Sequence, residues 1–236
     1  MKAKDVEVVP YKRELTDTTV ALVPAAGMGE RVGLGPKAFL QIGGQSVIAT
    51  VVHTLSPCVK RILVGVPSGY LDRAHDELKG LAEVFPGGAT RQETVFILLN
   101  QCAEQIVVIH DVTRPFASQT LIEKVIDAGR QYGAAVSCMP MHTPVAAYKD
   151  DFLAGSMPIA DLRLTQSPQA YRRDILVQAY TRALEAGWEA QTTWQLVVQA
   201  GIPVRAVMGE ERNIKITTPF DCEIATKVLA RKKSIE

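Results

Sequence analysis

The chain has 236 residues, with 26 Lys plus Arg against 25 Asp plus Glu and a formal net charge of +1. Apolar residues make up 47% and charged residues 22%, the balance of a chain that buries a core, which excludes a disordered or fibrous class. The near-zero net charge excludes general nucleic-acid binding, which needs a basic excess, and no apolar run approaches the roughly 20 residues of a membrane span.

The opening, MKAKDVEVVPYKRELTD, is charged throughout and lacks the apolar stretch of a signal peptide, so the expected location is the cytoplasm. Thr19 to Pro24 then reads as a buried strand running into the small-residue loop Ala25-Ala26-Gly27-Met28-Gly29. Ser46 to Leu55 has helical apolar spacing, Arg61 to Val66 is a second apolar strand, and Leu71 to Leu81 and Arg91 to Gln101 are helical again. Ile106 to Ile109 is a strand, Gln119 to Tyr132 a helix, and Ala134 to Cys138 a strand ended by Pro140. Such alternation predicts an α/β fold with a mostly parallel sheet covered on both faces.

From Met141 to Leu164 the rhythm breaks. Pro144, Gly155 and Pro158 interrupt it, and Val145-Ala146-Ala147-Tyr148 alternates like half a hairpin. This stretch reads either as an arm on which two subunits meet or as a long surface loop. Beyond it, Arg173 to Ala186 and Thr218 to Arg231 look helical, with Ile202 to Val207 and Ile214-Lys215-Ile216 as strands. Cys58, Cys102, Cys138 and Cys222 lie far apart in sequence, and His53, His75, His110 and His142 show no ligand spacing, so no protein-held metal is expected.

Ligands of open parallel sheets sit beyond the carboxyl ends of strands, and three such ends carry chemistry. At Pro24 to Arg31, followed by Gly35-Pro36-Lys37, small residues let backbone amides approach a phosphate while Arg31 and Lys37 bring cations. The bland reading is a strand-to-helix turn with two solvated cations. A dinucleotide fingerprint wants a third Gly and an acid about 20 residues on. Here no Asp or Glu occurs between Glu30 and Asp72. A purely cationic window suits a triphosphate better, and no Walker loop is present. At His110 to Pro115, Asp111 and Arg114 could position a phosphorylated polyol, or Asp111 could cap the turn with Arg114 paired to it. At Asn213 to Asp221, Lys215 stands in an apolar run, a poor place for a charge unless it faces an anion.

The stretches PAAGMGERVGLGPKAFLQIGG, GGATRQETV, HDVTRPF, SPQAY and NIKITTPFD span residues 24 to 221. Together they resemble the 2-C-methyl-D-erythritol 4-phosphate cytidylyltransferases of non-mevalonate isoprenoid synthesis. The resemblance implies a Rossmann-like nucleotidyltransferase fold, three-layer α/β/α with a mostly parallel sheet and a protruding β-arm. It implies a single domain over residues 1–236 that pairs as a homodimer through an arm at about residues 141–165. It also implies an enzyme that takes CTP, with Mg2+ carried by the nucleotide, and an alcohol phosphate, with no nucleic-acid or membrane partner.

The same resemblance assigns residues. Pro24, Ala25, Ala26, Gly27 and Gly29 would cradle CTP, with Gly87, Gly88, Arg91 and Thr94 on its base side. Arg31, Lys37 and Lys215 would be the catalytic cations. Asp111, Arg114, Thr143 and Ser167 would meet the acceptor. The chain departs from the family pattern at three places: Thr143-Pro144 replaces an Asp-Thr pair, Ile159 aligns with an arm arginine (Arg163 lies four residues on), and Gln191-Thr192-Thr193 replaces a Thr-Asp-Asp/Glu run. Methylerythritol phosphate is the leading acceptor. Another alditol or sugar phosphate such as ribitol 5-phosphate, or nucleotide binding without turnover, are the alternatives.

Overall fold

The computed structural model describes residues 18–29 and 35–233. Arg31 therefore lies outside the described residues. Eleven strands are present among them, in three sheets. The main sheet has seven strands: β1 (Thr19–Pro24), β4 (Arg61–Val66), β5 (Glu83–Pro86), β6 (Ile106–Ile109), β7 (Ala134–Pro140), β10 (Arg163–Arg172) and β11 (Arg205–Met208). Their order across the sheet is β11-β7-β10-β6-β1-β4-β5. Strand β1 pairs in parallel with both β4 and β6, β4 with β5, and β11 with β7. The exception to the parallel expectation is β10, which runs antiparallel to both β6 and β7.

Two apolar layers flank this sheet, and the period of two along each strand decides which residue faces which. On β1, Ala21 and Val23 pack into one layer with the helices α1 (Val47–Leu55), α2 (Leu71–Leu78) and α4 (Gln119–Tyr132). Val20 and Leu22 pack into the other with α3 (Arg91–Leu99), α5 (Arg173–Ala186) and α6 (Thr193–Gln199). Burial on both faces explains the unbroken apolar runs of β1, β4 and β6. Each such fully buried aliphatic side chain contributes about 1.5–3 kcal/mol. The last helix, α7 (Pro219–Lys233), returns to the first layer through Ala225.

Helix starts follow capping chemistry. The Ser46, Thr90 and Ser118 hydroxyls accept the amides of Ala49, Glu93 and Leu121, opening α1, α3 and α4. Two predicted helix ends move inward: α2 stops at Leu78, where Lys79 turns left-handed, and α3 stops at Leu99 rather than Gln101. The strand expected at Ile202 to Val207 is instead Arg205–Met208. The expected strand at Ile214 to Ile216 is irregular chain, held by the Ile216 amide donating to the Thr113 carbonyl at 2.8 Å.

Residues 145–157 form a separate two-stranded hairpin, β8 (Val145–Lys149) and β9 (Phe152–Met157), turning at Asp150 and Asp151 with positive φ. Phe152 and Leu153 are 75% and 78% exposed there. A short hairpin of β2 (Gln41–Ile42) and β3 (Gln45–Ser46) completes the sheets. No helix among the described residues is long and apolar enough to cross a membrane.

Candidate active site

The strand order reverses at β1. The chain builds outward from β1 to β4 and β5, then crosses back to place β6 on the other side of β1. Beyond the carboxyl ends of β1 and β6, at this switch point, lies a cleft of about 400 Å³. Pro24, Ala25, Gly27, Met28 and Gly29 line it from the β1 side, and Asp111, Val112 and Thr113 from the β6 side. Lys37, Arg91, Lys215 and Thr217 complete the wall. A smaller hollow of about 100 Å³ adjoins it, sharing Pro24, Gly27 and Arg91 and adding Ala26, Gly88, Ala89, Thr90 and Thr94.

Sequence positions separated by most of the chain thus meet. Lys37 extends its Nζ to the carbonyls of Ile216 at 3.4 Å and Thr217 at 3.2 Å, and Lys215 places its Nζ 3.2 Å from Asp111 Oδ2. The anion that Lys215 faces in the free protein is therefore a carboxylate of its own chain. Arg91 grips the other oxygen, with Nε at 3.0 Å and Nη2 at 2.8 Å from Asp111 Oδ1, while its Nη1 donates to Thr193 Oγ1 at 3.2 Å. Burial of the Asp111 carboxyl would raise its pKa, but the charges of Arg91 and Lys215 outweigh that and hold it well below the ordinary carboxylate range. Asp111 is thus an anion at any working pH and is no proton carrier. His110 beside it is buried, and desolvation lowers its pKa, so it is neutral.

The glycines of the β1 loop have different reasons. Gly29 has φ +73°, and a Cβ there would lie 2.3 Å from the Gly35 carbonyl oxygen. At Gly27 a Cβ would meet nothing within 4 Å, so packing within the chain does not require a glycine at this cleft-lining position. Gly87, after β5, needs close approach: its Cβ would sit 2.4 Å from that of Ala26. Thr94 stabilises this region rather than offering a free hydroxyl. Its Oγ1 accepts the Gly88 amide at 3.1 Å and donates to the Thr90 carbonyl at 2.9 Å.

The acceptor-side residues are less concentrated. Arg114 does not pair with Asp111. Its buried guanidinium donates to the carbonyls of Asn213 at 2.5 Å and Thr165 at 3.3 Å, bracing the chain behind the cleft. Ser167 is buried too, and its Oγ accepts the Asp111 amide at 3.0 Å, fixing the backbone of that residue. Thr143 is exposed ahead of the hairpin and does not line the cleft. The sequence flagged Thr193 only as part of a run departing from the family pattern and Thr217 only within NIKITTPFD; the first holds Arg91, and the second lines the cleft and supplies a carbonyl to Lys37. The Thr192–Gln195 capping box was the available signal for the first, because it starts α6 at Thr193.

A family model for IspD, 2-C-methyl-D-erythritol 4-phosphate cytidylyltransferase, matches residues 19–231. The chain belongs to this cytidylyltransferase family. Among its relatives, the 2-C-methyl-D-erythritol 4-phosphate cytidylyltransferase of Thermus thermophilus is 39% identical over 211 residues, covering 89% of this chain and 96% of the relative. The enzyme of the same name from Deinococcus radiodurans is 37% identical over 208 residues, covering 88% of each chain. The crystal structure of the Thermus thermophilus protein superposes with a TM-score of 0.80 at 35% identity, covering 91% of this chain and 99% of that one. The 4-diphosphocytidyl-2C-methyl-D-erythritol synthase structure from Anaerococcus prevotii also gives 0.80, at 26% identity, covering 92% of this chain and 100% of that one. Cytidylyltransferase membership fits the cleft at the β1–β6 switch point, with its small-residue loop and two lysines.

Proposed function

We propose that this member of the cytidylyltransferase family transfers a cytidylyl group from CTP to 2-C-methyl-D-erythritol 4-phosphate, releasing pyrophosphate, and that the cleft at the β1–β6 switch point is where it does so. The observation that carries the assignment is the convergence of Lys37 and Lys215 on the small-residue loop Ala25 to Gly29. Backbone amides with no intruding side chain suit phosphate oxygens, and cations beside them suit charge that grows as the α-phosphorus is attacked. The adjoining hollow between Ala26, Gly88 and Thr94 is the compartment for the pyrimidine. Arg31 belongs to the same reading by its sequence position.

The attacking oxygen is that of a phosphate monoester, already largely dianionic at neutral pH because its second pKa is near 6. No general base is needed, in keeping with a neutral His110 and a permanently ionised Asp111. The task of the chain is to bring two polyanions together. Asp111, clamped by Arg91 and Lys215, provides a fixed acceptor of hydrogen bonds for the polyol hydroxyls.

Mg2+ fits this site as part of the nucleotide substrate. No group of three His, Cys, Asp or Glu among the described residues forms a metal cage, and both Asp111 oxygens are already engaged. Bound to the triphosphate, it would neutralise phosphate charge. The curated relatives are named for methylerythritol phosphate, which favours that acceptor over ribitol 5-phosphate. A homodimer through the hairpin is supported by its exposed Tyr148, Phe152, Leu153 and Met157, and a cytoplasmic setting by four free thiols.

Pyrophosphate release from CTP, measured across a panel of alcohol phosphates, tests the reading. Release with methylerythritol phosphate, cut at least tenfold in Lys37→Met and Lys215→Met proteins that keep the native circular dichroism, is the expected result. Unchanged turnover in both variants overturns the site assignment, and release only with another acceptor overturns the substrate. Light scattering that finds a monomer at micromolar concentration overturns the dimer.

A further inference from the structure

Behind the cleft, a set of buried polar groups that do not line it is bonded together. Asn213 is fully buried, two residues before Lys215. Its Nδ2 donates to the Ser167 carbonyl at 2.7 Å and to Gln166 Oε1 at 3.4 Å. Its own carbonyl accepts Arg114 Nη1 at 2.5 Å and Gln166 Nε2 at 3.4 Å. Gln166 in turn donates from Nε2 to the Glu210 carbonyl at 2.9 Å and accepts the Glu210 amide at 3.2 Å. The Glu210 carboxylate takes the Ser118 amide at 3.1 Å and the Ser118 hydroxyl. Residues 209–218 are thereby stitched to β10 and to the segment after β6, the two pieces that also set Asp111.

This segment carries Lys215 and the two carbonyls that hold Lys37. A lysine has four rotatable bonds and no preferred direction, so its placement depends on where its backbone is anchored. A shift of about 1 Å in a group that stabilises a transition state costs on the order of 10²-fold in rate. We propose that Asn213 is a positioning residue for cytidylyl transfer. Its carboxamide and carbonyl lock the 209–218 segment onto Ser167, Gln166 and Arg114, so that Lys215 and Lys37 meet the nucleotide phosphates in register. The proposal rests on the assignment of the lysines above.

A double-mutant cycle tests it. Asn213→Ala is expected to lower kcat by about tenfold or more while KM for CTP moves less than about threefold, because the segment still closes the cleft but no longer fixes the cation. In a Lys215→Met background the same change is expected to cost clearly less than in the parent, since one of the two cations it positions is gone. Ser137→Ala serves as a control. It deletes another buried hydrogen bond to β10, from Ser137 Oγ to the Pro168 carbonyl at 2.9 Å, and is expected to keep kcat within about twofold. Should Asn213→Ala fail to fold, Gln166→Met removes the neighbouring carboxamide at similar volume and is expected to shift kcat in the same direction.

A kcat within twofold of the parent in the folded variant overturns the proposal. So does an undiminished loss in the Lys215→Met background, or an equal loss in Ser137→Ala. If Lys215→Met itself leaves turnover unchanged, it is the assignment of the lysine, not the role of Asn213, that has failed.

Discussion

Residues 25–29 and residues 209–218 wall the same cleft, yet the first segment has only small residues and Met28, with no polar side chain, while the second is tied down by its side chains. The β1 loop presents amides and space, with a Gly27 whose absent Cβ touches nothing. The later segment carries a buried Asn213, a bonded Glu210 and a capped helix start, and its job is to hold charge still. A site for a polyanion needs both. The bare wall adapts its backbone dipoles to oxygens, and the braced wall supplies cations that need not reorganise when charge develops.

The largest test of this division is Lys37→Met, which keeps the aliphatic stem and removes the charge. It is expected to lower kcat/KM for CTP by about 10²–10³-fold, roughly 3–4 kcal/mol of transition-state stabilisation, with the fold intact by circular dichroism. Gly29→Ala attacks the bare wall through its backbone. A positive φ and a Cβ 2.3 Å from the Gly35 carbonyl predict a loss of about 1–3 kcal/mol in urea unfolding.

Gly27→Ala separates space from strain. The fold tolerates the methyl group, since its φ lies outside the positive region and no protein atom lies within 4 Å. The melting temperature is therefore expected to hold while KM for CTP rises about tenfold, roughly 1.4 kcal/mol. An unchanged KM would mean that phosphates do not approach this amide.

The smallest effect probes the braced wall by pH. Asp221 Oδ2 accepts the amides of Thr217 and Thr218 at 2.8 and 2.7 Å and the Thr217 hydroxyl at 2.7 Å. Burial pushes its pKa up, but these hydrogen bonds to the charged form win and hold it at about 2, below the unfolded value near 4. Because the folded value is the lower one, this stabilisation is present above pH 4 and fades as pH falls from about 4 toward about 2. Asp221→Asn is expected to cost on the order of 1 kcal/mol near neutrality. The gap from the parent should narrow below pH 4 in denaturation midpoints.

What the sequence revealed of this molecule follows what burial on both faces writes into residue types. Strands β1, β4 and β6 are apolar after Thr19 and Arg61 at the starts of the first two and were legible to the residue. Strand β10 was not. Its run RLTQSPQAYR carries Gln166, Ser167 and Gln169 into the core, where each finds a hydrogen-bond partner, and a polar residue satisfied by a partner far along the chain looks like a loop residue beforehand. The edge strand β5 and the helix α6 are short, and neither carries a strong period.

Asp111 and Lys215 stood out in the sequence as charges beside apolar runs and Lys37 as a cation of the small-residue loop, and the fold brings all three to one cleft. Arg114 lies behind the cleft instead, and a buried guanidinium serving two carbonyls has the same local sequence as one facing a ligand. The alternation Ile214-Lys215-Ile216 imitates a strand, although only Ile216 is packed into the core.

The late arrival of β10 at the centre of the sheet has a consequence for biosynthesis. Strands β6 and β7 never touch by backbone pairing; β10 bridges them, and β11 adds to the far side of β7. A nascent chain released from the ribosome in order therefore carries β7 with no sheet partner until residue 172 has emerged, and the braced wall of the cleft comes later still. A polypeptide halted before that point has half a sheet with an open edge, a natural substrate for chaperones and for cotranslational degradation.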